Sequence, residues 1–538
     1  MPYRSAHVDR ERRVAEPGIV ADMVRQFADK HAFLRELVQN GIDAGATKID
    51  VTFDRDDRGV VRTSVTDDGA GMSRAVIEGP LLTLFSSSKE EDRSKIGKYG
   101  IGFVSVFALE PDVVEVRTKS GTEGWLLSLF GDHSWELAED KTSPPRGTTV
   151  SLVQAMTAEA FTAHVAAGVA ALEKWCRHAR VPVEVLVLDA GDPGATKKHA
   201  IQQAFTAPGL VSVIWSEGEE RVVISAGEAP GQPSAFLGYY NRGLTLFETP
   251  SPGDAFDGVR AKIDSPKLSH TLSRDGVVRD REHQRLLSIA TDLVTGRLWP
   301  QLVKALTHAA LDADPALYLG LLQATSAAAF ASERSGEQIP APLVDPIHGQ
   351  RTMPFTAVVK LSRGEVLFAA ESTPVTRLLA EMGTPVVRWL ECIPHFRSPK
   401  DEWELSEVDR AIAYSAPATE RHEGDDKLLS TLLALLQKVD RAASAVQLAR
   451  FAGAASNAAY RVTTRREAAI RAEHAAKNPW ASSAIVNLNV EDAGVRLARR
   501  RARTEPVVAA HLLLRALLVA EGPLPPKLVD RLLEAALE

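Results

Sequence analysis

Glu36, Asn40 and Asp43 stand in the run Phe33-Leu34-Arg35-Glu36-Leu37-Val38-Gln39-Asn40-Gly41-Ile42-Asp43. On a helix, Glu36 and Asn40 share one face, one turn apart, and Asp43 follows a turn later. A carboxylate, a carboxamide and a second carboxylate on one helix edge can hold a hydrated divalent cation and activate a water. Asp43 can equally cap or pair within the fold. A second acidic group occurs in Thr66-Asp67-Asp68-Gly69-Ala70-Gly71-Met72, where glycines let the backbone turn tightly or meet a ligand closely. A third stretch, Ile96-Gly97-Lys98-Tyr99-Gly100-Ile101-Gly102-Phe103, sets three glycines before an apolar run. Such a turn at a helix N-terminus offers free N–H groups and the positive dipole end to a phosphate. It does not follow a strand directly, which argues against a dinucleotide-binding Rossmann unit.

These groups need elements to hold them. Phe33, Leu34, Leu37, Val38 and Ile42 recur at helical spacing and predict a core-facing stripe, with Gly45 as the stop. Ile19 to Phe27 predicts an amphipathic helix before it. Alternation predicts strands at Lys48–Phe53, Val60–Thr66, Val113–Thr118, Gly124–Leu129, Thr148–Val153 and Val181–Leu188, with a helix over Ala158–Ala179. The first domain, residues 1–190, is therefore mixed α and β, with antiparallel strands and helices on one face. A second α/β region, 195–330, carries strands near Val211, Arg221, Ala235 and Val259, then Leu272-Ser273-Arg274-Asp275. Phe355–Lys360, Glu365–Ala369, Val375–Met382 and Val386–Leu390 suggest a small β-β-α-β unit within 335–410. An Ala- and Leu-rich helical region fills 420–538. The fold class is thus α+β.

Composition narrows the classes. A net charge of −7 argues against general nucleic-acid binding. Arg496 to Arg503 reads as a solvated helix face. The two cysteines, Cys176 and Cys392, form no metal-ligand spacing, which fits a reducing cytoplasm. Met1 to Glu16 is charged and reads as no signal peptide, and no apolar run is long enough to span a bilayer.

Taken in order, Glu-Leu-Val-Gln-Asn-Gly-Ile-Asp-Ala, Asp-Asp-Gly-Ala-Gly-Met and Gly-Lys-Tyr-Gly-Ile-Gly-Phe resemble the motifs of the Bergerat-fold, or GHKL, ATPases. This superfamily unites gyrase, heat-shock protein 90, histidine kinases and MutL. The resemblance covers roughly Phe33 to Leu152. Asp43-Ala44-Gly45-Ala46-Thr47 is similar to MutL, whereas Gly97–Phe107 looks like the heat-shock protein 90 family. Val259–Ser265 followed by Leu272–Asp275 is similar to that chaperone's middle domain. The chain therefore resembles a divergent, bacterial-type member of the heat-shock protein 90 family. The other reading is a MutL- or MORC-like ATP-gated clamp on nucleic acid.

The chaperone resemblance implies a Bergerat α/β sandwich, ATP and Mg²⁺ as cofactors, slow ATP hydrolysis, client proteins and a homodimer. The lack of a spanning apolar run and the acidic net charge argue against a membrane and a nucleic-acid partner. It gives Glu36 the role of base on the attacking water and Asn40 a place in the Mg²⁺ shell. Asp67 would accept the adenine amino group, Gly71 would let the ring sit close, and Met72 would be an apolar wall. Thr148 would assist near Asp67. Gly97, Gly100 and Gly102 would form a lid hinge and phosphate cradle, with backbone N–H groups of Ile101 to Phe103 on the phosphates. Arg274 would reach the γ-phosphate from the second domain. Apart from the resemblance, Arg35 reads as a salt-bridge partner that orients Glu36 and not as a ligand contact.

Overall fold

The computed structural model describes residues 11–14, 29–82, 102–131, 134–142, 145–192, 196–269, 271, 276–334, 339–396, 403–464, 469–471 and 480–537. The expected helix at Ile19–Phe27, the stretch from Ser86 to Ile101 and the segment Leu272–Asp275 lie outside them. The chain divides into two units, Met1–Leu298 and Trp299–Glu538.

The first unit opens with β1 (Glu11–Val14), α1 (Ala32–Asp43), β2 (Ile49–Arg55), β3 (Val60–Asp67), β4 (Val113–Ser120), β5 (Glu123–Phe130) and β6 (Ser134–Glu139). β7 (Gly147–Ala155), α2 (Ala158–Cys176), β8 (Val183–Asp189) and β9 (Lys197–Ala200) follow. The strands form one sheet in the order β1-β6-β5-β4-β7-β3-β2-β8-β9. Every neighbouring pair is antiparallel except β2 and β8. Alternation along β2 buries Ile49, Val51 and Phe53 in one core with Phe33, Leu34, Leu37 and Val38 of α1 and Phe161 and Leu172 of α2. The expected antiparallel sheet with packed helices is therefore present. The sequence reading lacks β1, β6 and β9.

β10 (Val211–Glu217), β11 (Glu220–Ala226), β12 (Phe236–Asn241), β13 (Leu244–Thr249) and β14 (Val259–Asp264) make a second sheet, ordered β10-β11-β14-β12-β13. α3 (Arg281–Leu293) completes this part. The β12–β13 turn has Arg242 at φ 48° and Gly243 at φ 82°, the two positive values a two-residue hairpin turn requires. A side chain at Gly243 would place its Cβ 1.8 Å from the His178 carbonyl oxygen. The next residue, Leu244, is fully buried and belongs to the same core as α1 and β2.

The second unit runs through α4 (Trp299–Leu311), α5 (Pro315–Ala324), β15 (Pro340–Leu343), β16 (Arg351–Pro354), α6 (Phe355–Leu361), β17 (Glu365–Phe368), α7 (Pro374–Glu381), β18 (Val386–Val387) and β19 (Glu404–Glu407). Its first sheet is ordered β16-β15-β18-β17-β19. The expected strand at Phe355–Lys360 is a correction: this segment is α6, which buries Phe355 and Val358, three residues apart on one helix face. The β-hairpin lies earlier, where Pro340–Leu343 pairs with Arg351–Pro354.

The C-terminal part joins β20 (Ile412–Pro417), α8 (Asp425–Lys438), β21 (Ala445–Gly453), β22 (Tyr460–Thr463), β23 (Ala469–Arg471) and β24 (Ile485–Asn489) to α9 (Ala493–Arg501), α10 (Pro506–Glu521) and α11 (Pro526–Leu537). The expected helices are there, and they pack on a five-stranded sheet, β22-β24-β21-β20-β23. Leu428, Leu432, Leu435 and Leu436 of α8 share a core with Leu448, Val486 and Leu488 of the sheet and Leu513, Leu514 and Leu517 of α10. Among the described residues no helix is long and apolar enough to cross a membrane. Both cysteines are free and buried.

Candidate functional site

α1 ends where its sequence says it should. The Ala46 N–H donates to the Gly41 carbonyl and the Gly45 N–H to the Ile42 carbonyl, both at 3.0 Å. This paired closure satisfies the last helical carbonyls and turns the chain straight into β2. The last turn of α1, with Asn40 and Asp43, consequently stands beside the end of β3, where Asp67 leaves the sheet.

The two adjacent aspartates have different work. Asp68 accepts from the Thr47 N–H at 2.6 Å and the Lys48 N–H at 3.0 Å and also binds the Thr47 hydroxyl, so it ties down the α1–β2 loop. Those hydrogen bonds, the Thr47 side chain first, hold its carboxyl below the usual range. Asp67 lines a cleft instead. Its Oδ1 accepts the Gly69 N–H at 2.8 Å, and the carboxylate also takes the Thr148 N–H. Burial outweighs these bonds and pushes the Asp67 carboxyl above the usual range.

The loop after Asp67 is pinned to the sheet. Gly71 has φ 68°, and a Cβ there would lie 2.0 Å from the Lys119 carbonyl oxygen. Only glycine fits so close to β4. The Met72 N–H donates to Thr118 Oγ1 at 2.8 Å, and the Thr118 and Thr148 hydroxyls are 3.0 Å apart. Thr148 faces Asp67 directly in the β3–β7 register. Phe103 follows Gly102 into a short helix whose Ser105 hydroxyl donates back to the Gly102 carbonyl at 2.6 Å.

A pocket of about 380 Å³ results, lined by Asn40, Asp43, Asp67, Gly71, Met72, Phe103 and Thr148 together with apolar residues such as Leu37, Val65 and Val150. Its volume suits a small organic ligand. The walls are mostly apolar, with a few acceptors and hydroxyls at fixed places, which suits a flat heteroaromatic ring carrying a donor. Glu36 lies one turn before Asn40 on α1 and is buried at 8% exposure; it is not among the lining residues. Gly97, Gly100, Ile101 and Arg274 lie outside the described residues. Arg35 is buried and sits 5.0 Å from the Trp175 ring centroid on α2, a cation–π contact.

Two features of the site exceed the sequence reading. Asp43, left open between ligand and structural roles, lines the pocket and also accepts from Arg242 Nη1 at 2.7 Å. Thr118 is the hydroxyl that joins Met72 to Thr148. In the sequence it appeared only as the last residue of the expected strand Val113–Thr118. Among the described residues no cluster of His, Cys, Asp and Glu could hold a metal ion by itself.

Comparison with known proteins agrees with this geometry. Residues 30–141 match the family described as Histidine kinase-, DNA gyrase B-, and HSP90-like ATPase, so this segment carries a GHKL, or Bergerat-type, ATPase domain. The chain is similar to Chaperone protein HtpG of Wolbachia sp. subsp. Brugia malayi, 31% identical over 173 residues that cover 26% of this chain and 27% of that protein. It is 26% identical over 229 residues to Chaperone protein HtpG of Methylococcus capsulatus, covering 37% of this chain and 36% of the other. Chaperone protein HtpG of Escherichia coli O1:K1 / APEC is 29% identical over 159 residues, covering 23% of this chain and 25% of that protein. The chain thus spans about a quarter to a third of the length of these relatives.

Proposed function

We propose that the chain binds ATP in this pocket, hydrolyses it, and works as a molecular chaperone or conformational clamp of the heat-shock protein 90 kind. The observation that carries the reading is the apolar pocket in which Asp67 and Thr148 face each other across two strands while Asn40 stands on α1 beside them. The Asp67 carboxylate keeps lone pairs beyond those used by Gly69 and Thr148, and these accept the adenine amino group. Met72 and Phe103 exclude water from the ring faces. Backbone N–H groups of Ile101 to Phe103 hold the phosphates, with Gly97, Gly100 and Gly102 as hinge and cradle.

Asn40 supplies a neutral carbonyl oxygen, a donor that suits Mg²⁺, and the nucleotide's own phosphates with waters complete such a shell. Mg²⁺, when bound, neutralises phosphate charge. Glu36 deprotonates the attacking water, one turn from Asn40, and Arg274 stabilises the γ-phosphate. Hydrolysis is slow.

The proposal extends to the whole chain. Residues 1–190 form the ATPase domain, 195–330 a middle domain, 335–410 a small α/β unit and 420–538 a region for self-association. Exposed Val508, Leu512 and Val519 on α10 support a homodimer. Client polypeptides in the cytoplasm are its partners. ATP turnover by wild type, Glu36→Ala and Arg274→Ala tests the reading. Glu36→Ala is expected to cut turnover by roughly 10²–10⁴-fold while ADP still binds. Equal turnover in wild type and Glu36→Ala would remove hydrolysis at this site.

A further inference from the structure

The second unit contains a polar cleft of about 550 Å³ whose lining includes Arg496, Arg499, Arg500, Arg503, Glu420 and Glu491. Arg496 and Arg500 are one turn apart on α9, and Arg503 follows just past its end. The run was expected to be a solvated face. Arg499 departs from that expectation, being buried at 7% exposure.

Arg499 is held from below. Its Nε and Nη2 donate to Asp425 Oδ1 and Oδ2 at 3.1 and 2.8 Å. Asp425 is fully buried at the start of α8 and also accepts the His422 N–H at 2.7 Å. Two of the three guanidinium nitrogens are thereby committed. Nη1 has no hydrogen-bond partner among the described residues, on a side chain that lines the cleft.

The charges in the cleft do not cancel. Asp425 neutralises Arg499, Glu491 stands 3.7 Å from Arg496, and Glu420 is engaged by Arg450 at 3.1 Å. Arg500 and Arg503 are exposed and have no ion-pair or hydrogen-bond partner among the described residues. Two free guanidinium forks and one fixed N–H donor thus surround a polar cavity. Guanidinium forks match the oxygens of phosphate in spacing and in charge. The apolar lining is confined to Val490 and Ala493, too little to recognise a ligand by its hydrocarbon body. The two glutamates at the same cleft repel an extended polyanion such as a nucleic-acid backbone, so a compact anion fits better.

We propose that this cleft is a binding site for a small phosphate-bearing anion of the di- or polyphosphate type. Arg500 and Arg503 are its principal ligands, and Arg499, fixed by Asp425, contributes Nη1. The site is lined by residues of the second unit alone.

Calorimetric titration of the full-length chain with inorganic pyrophosphate tests this. Wild type is expected to bind one equivalent, and Arg500→Ala/Arg503→Ala to bind roughly tenfold more weakly or worse. Both side chains are exposed and unpaired among the described residues, so the variant should keep the wild-type melting temperature and ATP turnover. Arg500→Gln/Arg503→Gln, which retains the long stems, should show the same loss. Equal pyrophosphate affinity in wild type and both variants would overturn the proposal. So would absence of pyrophosphate binding combined with single-stranded DNA binding that depends on Arg500 and Arg503.

Discussion

Asp67→Asn keeps the shape of the side chain and exchanges one acceptor oxygen for a donor nitrogen. In the folded protein the carboxylate already receives the Gly69 N–H at 2.8 Å and the Thr148 N–H. A carboxylate can take both and still accept from a ring amino group; an amide has only one oxygen for the three donors. Its nitrogen must face either Thr148 or the bound base, donor against donor. One buried donor left unsatisfied costs about 1–3 kcal/mol. ADP affinity should therefore fall roughly 5- to 150-fold. GDP, with a carbonyl in place of the amino group, should lose less, because the new amide can donate to it. The pH dependence adds a second signature. Burial raises the Asp67 carboxyl, and a protonated carboxyl donates where it should accept. ADP binding by wild type should weaken as pH falls through that raised value, and Asp67→Asn should lose this dependence. The raised carboxyl disfavours the folded state above its pKa, and that cost should vanish as pH falls. Calorimetric titration of both proteins with ADP and GDP across pH is the assay. ADP affinity within about twofold of wild type, with an unchanged ADP-to-GDP ratio, would refute the placement of the base on Asp67.

Three further outcomes follow from the packing. Asp43 and Arg242 form a 2.7 Å ion pair with 28% and 37% of their side chains accessible, so a double-mutant cycle of Asp43→Asn and Arg242→Gln in urea unfolding should give a coupling of only about 0.5–1 kcal/mol. A null coupling would mark the contact as energetically idle. Arg499→Leu leaves the fully buried Asp425 without its cation and should destabilise by about 3–5 kcal/mol, with part recovered in Arg499→Leu/Asp425→Leu; a loss below about 1 kcal/mol would contradict the burial argument. His164 Nδ1 lies 3.0 Å from His31 Nε2, its Nε2 lies 2.8 Å from the Thr63 hydroxyl, and burial pushes it down to about 4. Since its folded value is depressed, the stability it contributes is present above its ordinary value near 6.5 and is lost as pH falls through about 4. The loss amounts to roughly 3 kcal/mol, which His164→Gln should abolish in acid-unfolding curves.

The candidate pocket was legible where polar residues sit in short runs. Asn40, Asp67, Gly71, Met72 and Thr148 come from local motifs or a strand facing one, and the structure lines one pocket with them. Gly45 announced the end of α1 because only a left-handed residue closes the helix that way. What the sequence hid depends on distant partners. Nothing near Asp43 indicates Arg242, because that contact exists only once a hairpin of the second sheet folds back on α1. Arg499 reads as one more solvated arginine until Asp425, far earlier in the chain, arrives beneath it. β21 was hidden for a different reason. Ala-Val-Gln-Leu-Ala-Arg-Phe-Ala-Gly is alanine-rich and favours helix on propensity, and tertiary pairing with β20 and β24 overrides it. Phe355–Leu361 shows the converse, an apolar run short enough to suit either period.

The hairpin tip at Arg242–Gly243 bears on how the first unit can be taken apart. Leu244 is a member of the core built by α1, β2 and α2, so the junction is a shared interior and not a tether. A fragment cut near residue 195 would open a socket in that interior and bare a leucine-sized apolar surface, costing about 1.5–3 kcal/mol. Any nucleotide-driven swing hinged at this junction would meet the same cost on every cycle. Motion that leaves Leu244 seated is therefore favoured, and the elements that move should be sought beyond the hairpin.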